Sequence, residues 1–199
     1  MEKLKIKLFN NFFQKFEKNE YKVTMNKENI SKEENQIIVR SYRSLMRTIR
    51  DKTSVKEKSK IRLAFDMAIN AHKNTKRQSG QPYITHPMSV AKIIANEIGL
   101  GTTSIICSLL HDVVEDSDLT VKDIEKKFGK QVALIIEGLT KISDVVESDI
   151  SLQAENFRKM ILTTSNDIRV VIIKIADRLD NMRTLEHLSE KKQKKISSE

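Results

Sequence analysis

Residues that break regular structure or cross-link a chain are scarce in this sequence of 199 residues. It has five glycines, two prolines, one cysteine and no tryptophan, and aromatic residues make up only 5% of it. So few glycines and prolines exclude collagen-like chains, linker-rich chains and turn-dense all-β proteins, and they favour long helices. A single cysteine, Cys107, cannot form an internal disulfide. This excludes a disulfide-stabilised scaffold and suits a reducing compartment.

Long hydrophobic runs are also missing. No segment approaches the ~18 consecutive apolar residues that a membrane-spanning helix needs. The basic N-terminal stretch, residues 1–13, lacks the small-residue cleavage site of a signal peptide. We therefore expect a cytoplasmic protein with no membrane partner.

Positive charge is in excess, because Lys and Arg number 36 and Asp and Glu 27, which gives a formal net charge of +9. Nucleic acid, an acidic membrane surface or a polyphosphate substrate would each explain this excess. A generally lysine-rich composition explains it equally well. Because the lysines are not interleaved with aromatic side chains, we do not expect a nucleic-acid partner.

Apolar residues recur at helical spacing over most of the chain, which predicts an all-α fold. Residues 1–30 lack clear periodicity and are interpreted as an N-terminal extension to a helical domain at 31–199. Pro87 suits the first position of a helix, which would make His86 its N-cap. The predicted helices cover about residues 31–49, 55–74, 87–98, 103–115, 121–128, 132–141, 152–164 and 167–188.

Three of these helices carry further expectations. Residues 103–115 are apolar on nearly all sides, so this helix should be buried, with Cys107 as a small core residue. Thr120 and Asp123 form a capping-box pattern, and Gly129 marks the end of that helix. The β-branched run at 169–175 would also suit a buried strand. We favour a helix, because the apolar pattern continues beyond it.

The segment HDVVED, residues 111–116, places an adjacent His-Asp pair within apolar sequence. Burying such a pair is costly unless a partner compensates for the lost hydration, and a metal ion would do so. On a continuous helix, His111 and Glu115 would share one face, and Asp112 and Asp116 the adjoining face. The sequence therefore predicts a metal-binding layer next to an acid/base layer.

Two further residues complete a candidate ligand set. His86 lies at a loop-helix junction, and Asp177 follows an apolar run. With His111 and Asp112 they supply two imidazoles and two carboxylates, which suit Mn²⁺, Fe²⁺ or Zn²⁺ with positions left for water and a phosphate oxygen. His72, His187 and Tyr83 have no supporting pattern and are interpreted as surface or packing residues.

Four segments carry a family resemblance, and they are RQSGQPYITHP (77–87), LLHDVVEDSDLT (109–120), QAENFRKM (153–160) and IKIADRLDNMRTLEHL (173–188). Together they resemble the hydrolase domain of the RelA/SpoT family, the enzymes of the guanosine alarmones ppGpp and pppGpp. The resemblance covers about residues 55–195 and implies an HD-domain helical bundle.

The resemblance implies a role for each matching position. His86, His111, Asp112 and Asp177 match the family's manganese ligands. Glu115 and Asp116 match the acidic pair that acts on the attacking water. Arg77 matches the arginine that packs on the guanine base, and Asn181 and Thr184 match nucleotide-pocket positions. Since the His-Asp and Glu-Asp motif is intact, an active Mn²⁺-dependent (p)ppGpp 3′-pyrophosphohydrolase is implied.

Two positions depart from the family pattern. Gln78 stands in the nucleotide-binding loop where a lysine is common, and Asp180 stands where a histidine is common. Gln78 would weaken substrate affinity or alter base selectivity. Asp180 adds a charge near the proposed ion and is a possible competing ligand. The sequence does not indicate an oligomeric state.

Three alternatives remain open from the sequence. The chain resembles one part of the bifunctional members and lacks their nucleotidyltransferase domain, so we expect either a hydrolase fragment or a compact version. An HD phosphohydrolase of another nucleotide, such as NADPH, is a second enzymatic hypothesis. A catalytically silent module that binds the alarmone is the hypothesis from a different class.

Overall fold

The computed structural model describes residues 31–49, 53–146 and 167–198, and every regular element in these ranges is helical. The predicted all-α class is thereby confirmed. Extended pairing in the described ranges is limited to an isolated bridge between Lys76 and Pro82. The predicted extension at 1–30 and the predicted helix at 152–164 lie outside the described residues, as does the segment 153–160.

We number the α-helices of the described residues in chain order. They are α1 (Lys32–Thr48), α2 (Val55–Ala71), α3 (Thr85–Lys92), α4 (Thr102–Leu110), α5 (Val121–Phe128), α6 (Lys130–Val146), α7 (Arg169–Arg183) and α8 (Glu190–Ser198). A π-helical turn, Ile93–Ile98, continues α3, and a 3₁₀ turn, Leu185–His187, follows α7.

Two helices begin with a capping box. In α5, the Thr120 hydroxyl oxygen accepts a hydrogen bond from Asp123 N, and the Asp123 carboxylate accepts one from Thr120 N, as predicted. In α2, Ser54 and Glu57 form the same pair. Such a box satisfies backbone N–H groups that have no partner within the helix. The Glu57 carboxylate also accepts from the Thr102 hydroxyl at 2.8 Å, which joins the start of α2 to the start of α4.

Helix α4 lies at the centre of the described part of the molecule. It packs against α2, α3, α6 and α7, and every residue from Ser104 to Leu110 is buried. This confirms the expectation drawn from its all-round apolar sequence. Cys107 is fully buried within it, and burial raises the pKa of its thiol. The centre of the core therefore leads directly into the His-Asp motif.

The helix that carries this motif is shorter than predicted, because α4 ends at Leu110 and not at Glu115. Residues 111–115 form turns, with a hydrogen bond from Val113 N to Leu110 O. The Ser108 carbonyl, the acceptor that Asp112 N would use in a continuing helix, takes a hydrogen bond from His111 Nδ1 at 2.8 Å. The predicted stacking of two helical layers is therefore wrong, although Asp116 N still donates to Asp112 O.

The prediction that His86 is an N-cap is also wrong. Helix α3 begins at Thr85, with Ile84 as its N-cap, and His86 is buried in the first turn. The preceding chain already forms tight turns, since Thr85 N donates to Pro82 O and His86 N to Tyr83 O. Pro87 then occupies the first turn, where a missing N–H costs no intrahelical hydrogen bond.

One helix end and one helix assignment also agree with the sequence. The π-helical continuation of α3 ends at Gly99, whose φ of 81° places it in the left-handed region that favours glycine. The β-branched run at 169–175 lies within α7, so the helical interpretation is confirmed and the strand alternative is wrong.

No helix among the residues described here combines the length and the hydropathy required to cross a membrane.

Candidate functional site

Three elements converge on one buried cluster of imidazoles and carboxylates. His86 comes from α3, His111 and Asp112 follow α4, and Asp177 lies in α7. Nitrogen and oxygen atoms of His86, His111 and Asp112 all lie within 4.8 Å of one another. Asp177 Oδ1 is 3.1 Å from His86 Nε2 and 3.9 Å from His111 Nε2. The four predicted ligands, scattered along the chain, thus lie together in the fold.

Each imidazole is oriented by a hydrogen bond on its Nδ1 atom. His111 Nδ1 lies 2.8 Å from the Ser108 carbonyl, and His86 Nδ1 lies 2.6 Å from Asp180 Oδ2. Both partners are acceptors, so Nδ1 of each ring carries a proton and donates it. Nε2 of each ring then faces the shared centre, where a bound cation would take the place of a proton.

The centre is electrostatically suited to a cation. His111 Nε2 is buried and makes no hydrogen bond of good geometry in the described structure, although Asp112 Oδ2 is only 3.1 Å away. Burial alone would lower the pKa of His111, but Asp112 and Asp177 outweigh it and raise that pKa to about 9. The carboxylates therefore stabilise positive charge at the point where the donors meet, so these residues fit a divalent ion.

The two carboxylates stay ionised despite their burial. Desolvation alone would raise the pKa of Asp112 and of Asp177. The imidazoles of the cluster reverse this and hold both pKa values well below their usual range. Lys174 adds to the effect at Asp177, since its Nζ lies 3.1 Å from Asp177 Oδ2. The site thus offers two anionic oxygen donors near neutral pH.

Tyr83 and His72 belong to the surroundings of this site, which the sequence did not indicate. The Tyr83 hydroxyl donates to Asp112 Oδ2 at 2.7 Å. Its ring packs against that of His72, with centroids 4.5 Å apart. Burial lowers the pKa of His72 to about 4, so it is neutral at pH 7. Tyr83 lies one turn before His86, and this spacing is the only signal in the sequence that could have placed it beside the site.

The predicted acid/base pair lies at the exposed end of the turn segment. Glu115 and Asp116 are both exposed. Asp116 Oδ2 is 3.4 Å from His72 Nδ1. Partial burial, followed by the negative charge of Asp112, raises the pKa of Asp116. A carboxylate with a raised pKa is a stronger base and therefore suits proton transfer.

A second cluster adjoins the first and contains three of the four predicted nucleotide-binding residues. Arg77 donates to Asn181 Oδ1 at 3.2 Å and to Thr184 Oγ1 at 3.0 Å. Asn181 in turn donates to Asp177 Oδ1 at 2.9 Å. Because Asp177, Asn181 and Thr184 are spaced by four and three residues, one face of α7 serves both clusters.

A tight turn holds Arg77 in place. Gly80 N donates to Arg77 O, and Arg77 N donates to Gln81 O, both at 2.9 Å. Gly80 has a φ of 80°, so a side chain there would strain the turn. Gln78 is exposed on this turn, and within the described residues no hydrogen bond joins it to the Arg77 cluster. The structure thus brings together Arg77, Asn181 and Thr184 but not Gln78.

Asp180 links the two clusters. Its Oδ2 atom lies 2.6 Å from His86 Nδ1 and 2.8 Å from Arg77 NH1. Burial alone would raise the pKa of Asp180, but the His86 and Arg77 contacts lower it. The atom of His86 that it contacts points away from the shared centre, so Asp180 orients the His86 ring from outside that centre. The expectation that it competes as a ligand gains no support from this geometry.

Known proteins resemble the part of the chain that carries these two clusters. The HD domain family model matches residues 64–199. The chain is 46% identical over 139 residues to a protein of Aquifex aeolicus named guanosine-3′,5′-bis(diphosphate) 3′-pyrophosphohydrolase. It is 47% identical over 141 residues to the bifunctional (p)ppGpp synthase/hydrolase SpoT of Escherichia coli K12. These matches confirm the resemblance found in the sequence.

The matched region is one part of larger proteins. Both relatives are matched over 70% of this chain, which spans only about a fifth of their length, 20% in each case. A solved structure, described as a metazoan ortholog of SpoT that hydrolyses ppGpp, superposes with a TM-score of 0.54 at 27% identity. The superposition covers 72% of this chain and 84% of that one.

Proposed function

Because this chain belongs to the HD domain family, we propose that it hydrolyses the 3′-pyrophosphate of guanosine alarmones with the help of Mn²⁺. The products are GDP or GTP and pyrophosphate. One observation carries the proposal: Asp177, one of four clustered imidazole and carboxylate residues, shares an α7 face with Asn181 and Thr184, which hold Arg77. The names of the relatives supply the substrate class.

His86, His111, Asp112 and Asp177 would hold the ion. Two imidazole and two carboxylate donors without a thiolate suit Mn²⁺ and leave positions for other oxygen ligands. When bound, a divalent cation here supplies positive charge to the phosphate oxygens and lowers the pKa of a neighbouring water. Tyr83, Ser108 and Asp180 keep the ligands oriented through their hydrogen bonds.

The chain's own acids manage the protons. The Asp116 carboxylate, whose pKa is raised by burial and by Asp112, accepts the proton of the attacking water. The water oxygen joins the phosphorus of the 3′-diphosphate, and the bond from that phosphorus to the 3′ oxygen breaks. Glu115, in its protonated form, donates a proton to the departing 3′ oxygen. Exposure of both groups allows the proton to exchange with solvent afterwards.

The second cluster positions the nucleoside. Arg77 presents a guanidinium held along one edge by Asp180, Asn181 and Thr184. A guanidinium fixed in this way packs on a purine ring with little loss of side-chain entropy. Gln78 lies next to Arg77 on the exposed turn and would contact the substrate there.

Metal analysis and a turnover assay test the proposal together. The purified chain should contain or take up about one Mn²⁺, and it should release pyrophosphate from ppGpp when Mn²⁺ is added. A chelator should stop the reaction. In a nucleotide panel that includes NADPH, ppGpp should be turned over fastest. Faster NADPH turnover would reject the substrate assignment, and tight ppGpp binding without pyrophosphate release would favour a silent binding module.

Asp112→Ala tests the ion site directly, and Asp118→Ala is its matched control. Asp112→Ala removes one ligand and the acceptor of the Tyr83 hydroxyl, so both metal content and turnover should be lost. Asp118→Ala removes an exposed carboxylate from the same segment and should leave both unchanged. Activity that persists in Asp112→Ala, or in the presence of a chelator, would contradict the ion site.

A further inference from the structure

We propose that Asp180 is a positioning residue that couples ion affinity to the geometry of the nucleotide pocket, by holding the ligand His86 and the pocket residue Arg77 with one oxygen atom. The inference rests on the proposed function for the meaning of the pocket. The coupling itself follows from the described contacts.

One carboxylate oxygen serves both partners. Asp180 Oδ2 is 2.6 Å from His86 Nδ1 and 2.8 Å from Arg77 NH1. The side chains of Asp180 and Arg77 are only 8% and 17% exposed, and that of His86 is 4% exposed. Solvent screening is therefore weak, and both contacts are charge-assisted hydrogen bonds of short length.

Each contact fixes a different property. The contact with His86 keeps the proton on Nδ1 and turns Nε2 toward Asp177, 3.1 Å away. The contact with Arg77 fixes one end of a guanidinium whose other end meets Asn181 and Thr184. If Oδ2 moved toward one partner, it would move away from the other. A change in Arg77 therefore reaches the ion ligand through a single atom.

The charge on Asp180 matters as well as its shape. An anionic oxygen beside Nδ1 makes the imidazole a better donor to a cation. It also compensates for the positive charge of Arg77, which is largely buried. Asparagine has nearly the same shape but no charge, so Asp180→Asn separates charge from packing.

The experiment measures Mn²⁺ binding by calorimetry on the metal-stripped full chain, without nucleotide. We expect Asp180→Asn to weaken binding by about 10- to 100-fold, the range for residues that support metal ligands. Asp180→Ala should weaken it at least as much, because it removes both hydrogen bonds. The unfolding temperature in chelator shows whether each variant folds. If Asp180→Asn does not fold, the alanine variant or Asp180→Glu, which moves the charge, gives the decisive affinity.

A second readout separates positioning from general damage. In saturating Mn²⁺, the Asp180→Asn variant should show a raised KM for ppGpp with a smaller change in kcat, because Arg77 has lost its fixed position. Asp167→Asn is the matched control. Asp167 also accepts from an arginine, with Arg169 Nε at 2.8 Å, but it precedes the start of α7, roughly 20 Å along that helix from Asp180.

The outcomes distinguish this inference from the proposed function. Wild-type Mn²⁺ affinity in folded Asp180→Asn and Asp180→Ala would overturn the inference, and so would an equal loss in Asp167→Asn. Either result leaves ppGpp hydrolysis by the wild type intact. Conversely, if the wild type binds Mn²⁺ in an Asp180-dependent way but does not hydrolyse ppGpp, the coupling stands and the proposed function fails.

Discussion

Single hydrogen bonds decide which atom of each imidazole faces the centre of the site. His111 uses the Ser108 carbonyl and His86 uses the Asp180 carboxylate, each through Nδ1. Without these acceptors the rings could turn, or carry the proton on Nε2, and either change would remove a lone pair from the centre. We therefore expect residues outside the proposed ligand set to govern the affinity of this site for an ion.

Tyr83→Phe tests this at the Asp112 carboxylate. The substitution removes only the hydroxyl that donates to Asp112 Oδ2 at 2.7 Å. We expect the Mn²⁺ affinity to fall by about 10-fold or more, as for other groups that orient a ligand. Titration calorimetry measures it, with Tyr42→Phe as the control. Tyr42 is buried in the core against Phe65, and an equal loss there would attribute the effect to packing.

Glu115→Gln and Asp116→Asn test the acid/base pair. Both residues are exposed, so neither substitution should disturb folding or ion content. The rate of pyrophosphate release should fall by about 10²- to 10⁴-fold, the range for general acid/base groups. Asp118→Asn, an exposed carboxylate in the same segment, should keep the wild-type rate. An unchanged rate in both test variants would remove the pair from the reaction.

At this scale the sequence predicted a ligand set, which stays a prediction, but not the contacts that orient it. The His-Asp pair stood out because charged groups in apolar sequence need compensation, His86 and Asp177 were added from their places beside a loop and an apolar run, and the resemblance implied the same set. The sequence assigned no site role to His72 or Tyr83, and it predicted Asp180 only as a competing ligand. Their contacts join residues that are distant in sequence and depend on how α3, α4 and α7 pack, which periodicity does not encode.

Among the elements, the start of α2 is joined to the start of α4 by one half-buried carboxylate. Glu57 closes the capping box with Ser54 and also accepts from Thr102 at the start of α4. The hydrogen bonds from Ser54, then that from Thr102, lower the pKa of Glu57 from 4.5 to about 2. The ionised form of Glu57 is therefore preferred in the folded state.

This difference predicts a pH dependence of stability. Because the pKa of Glu57 is lower in the folded chain, its contribution is fully present above about pH 4.5 and is lost as the pH falls toward 2. Urea midpoints of the wild type and Glu57→Gln should differ near pH 6 and converge near pH 2. The Thr102→Val variant keeps the capping box. Its urea midpoint near pH 6 should therefore exceed that of Glu57→Gln by most of the difference seen for the wild type. A constant difference across this range would contradict the assignment.

Helix ends were harder to predict than helix cores for a physical reason. The Thr120 box and the Gly129 stop depend on neighbouring residues only, so the sequence was sufficient. The end of α4 at Leu110 depends on a ring nitrogen of His111 that reaches the Ser108 carbonyl. The start of α3 depends on turns around Pro82 and Tyr83. Side-chain and turn hydrogen bonds of this kind override helix propensity and fix where each helix begins or ends.

On the scale of the whole molecule, the proposed ion site lies where three packed helices meet. Its ligands belong to α3, to the end of α4 and to α7, and these helices pack against one another. The unfolded chain does not hold these donors together. Binding of an ion therefore favours the folded state in proportion to its affinity.

Mn²⁺ should accordingly stabilise the whole fold. At a free concentration 100 times the dissociation constant, the free energy of unfolding should rise by about 2.7 kcal/mol. Thermal unfolding in chelator and in increasing Mn²⁺ measures this as a rise of several degrees in Tm. Asp112→Ala should show no such rise at the same concentrations. A Tm independent of Mn²⁺ in the wild type would contradict a preformed site.

The fully buried thiol at the centre of α4 also has a practical use. Cys107 is the sole cysteine of the chain, and its raised pKa leaves almost no reactive thiolate in the folded state. Alkylating reagents can reach it only when the helices around α4 separate. The rate of alkylation is thus a built-in reporter of core opening, readable by mass spectrometry without any introduced label.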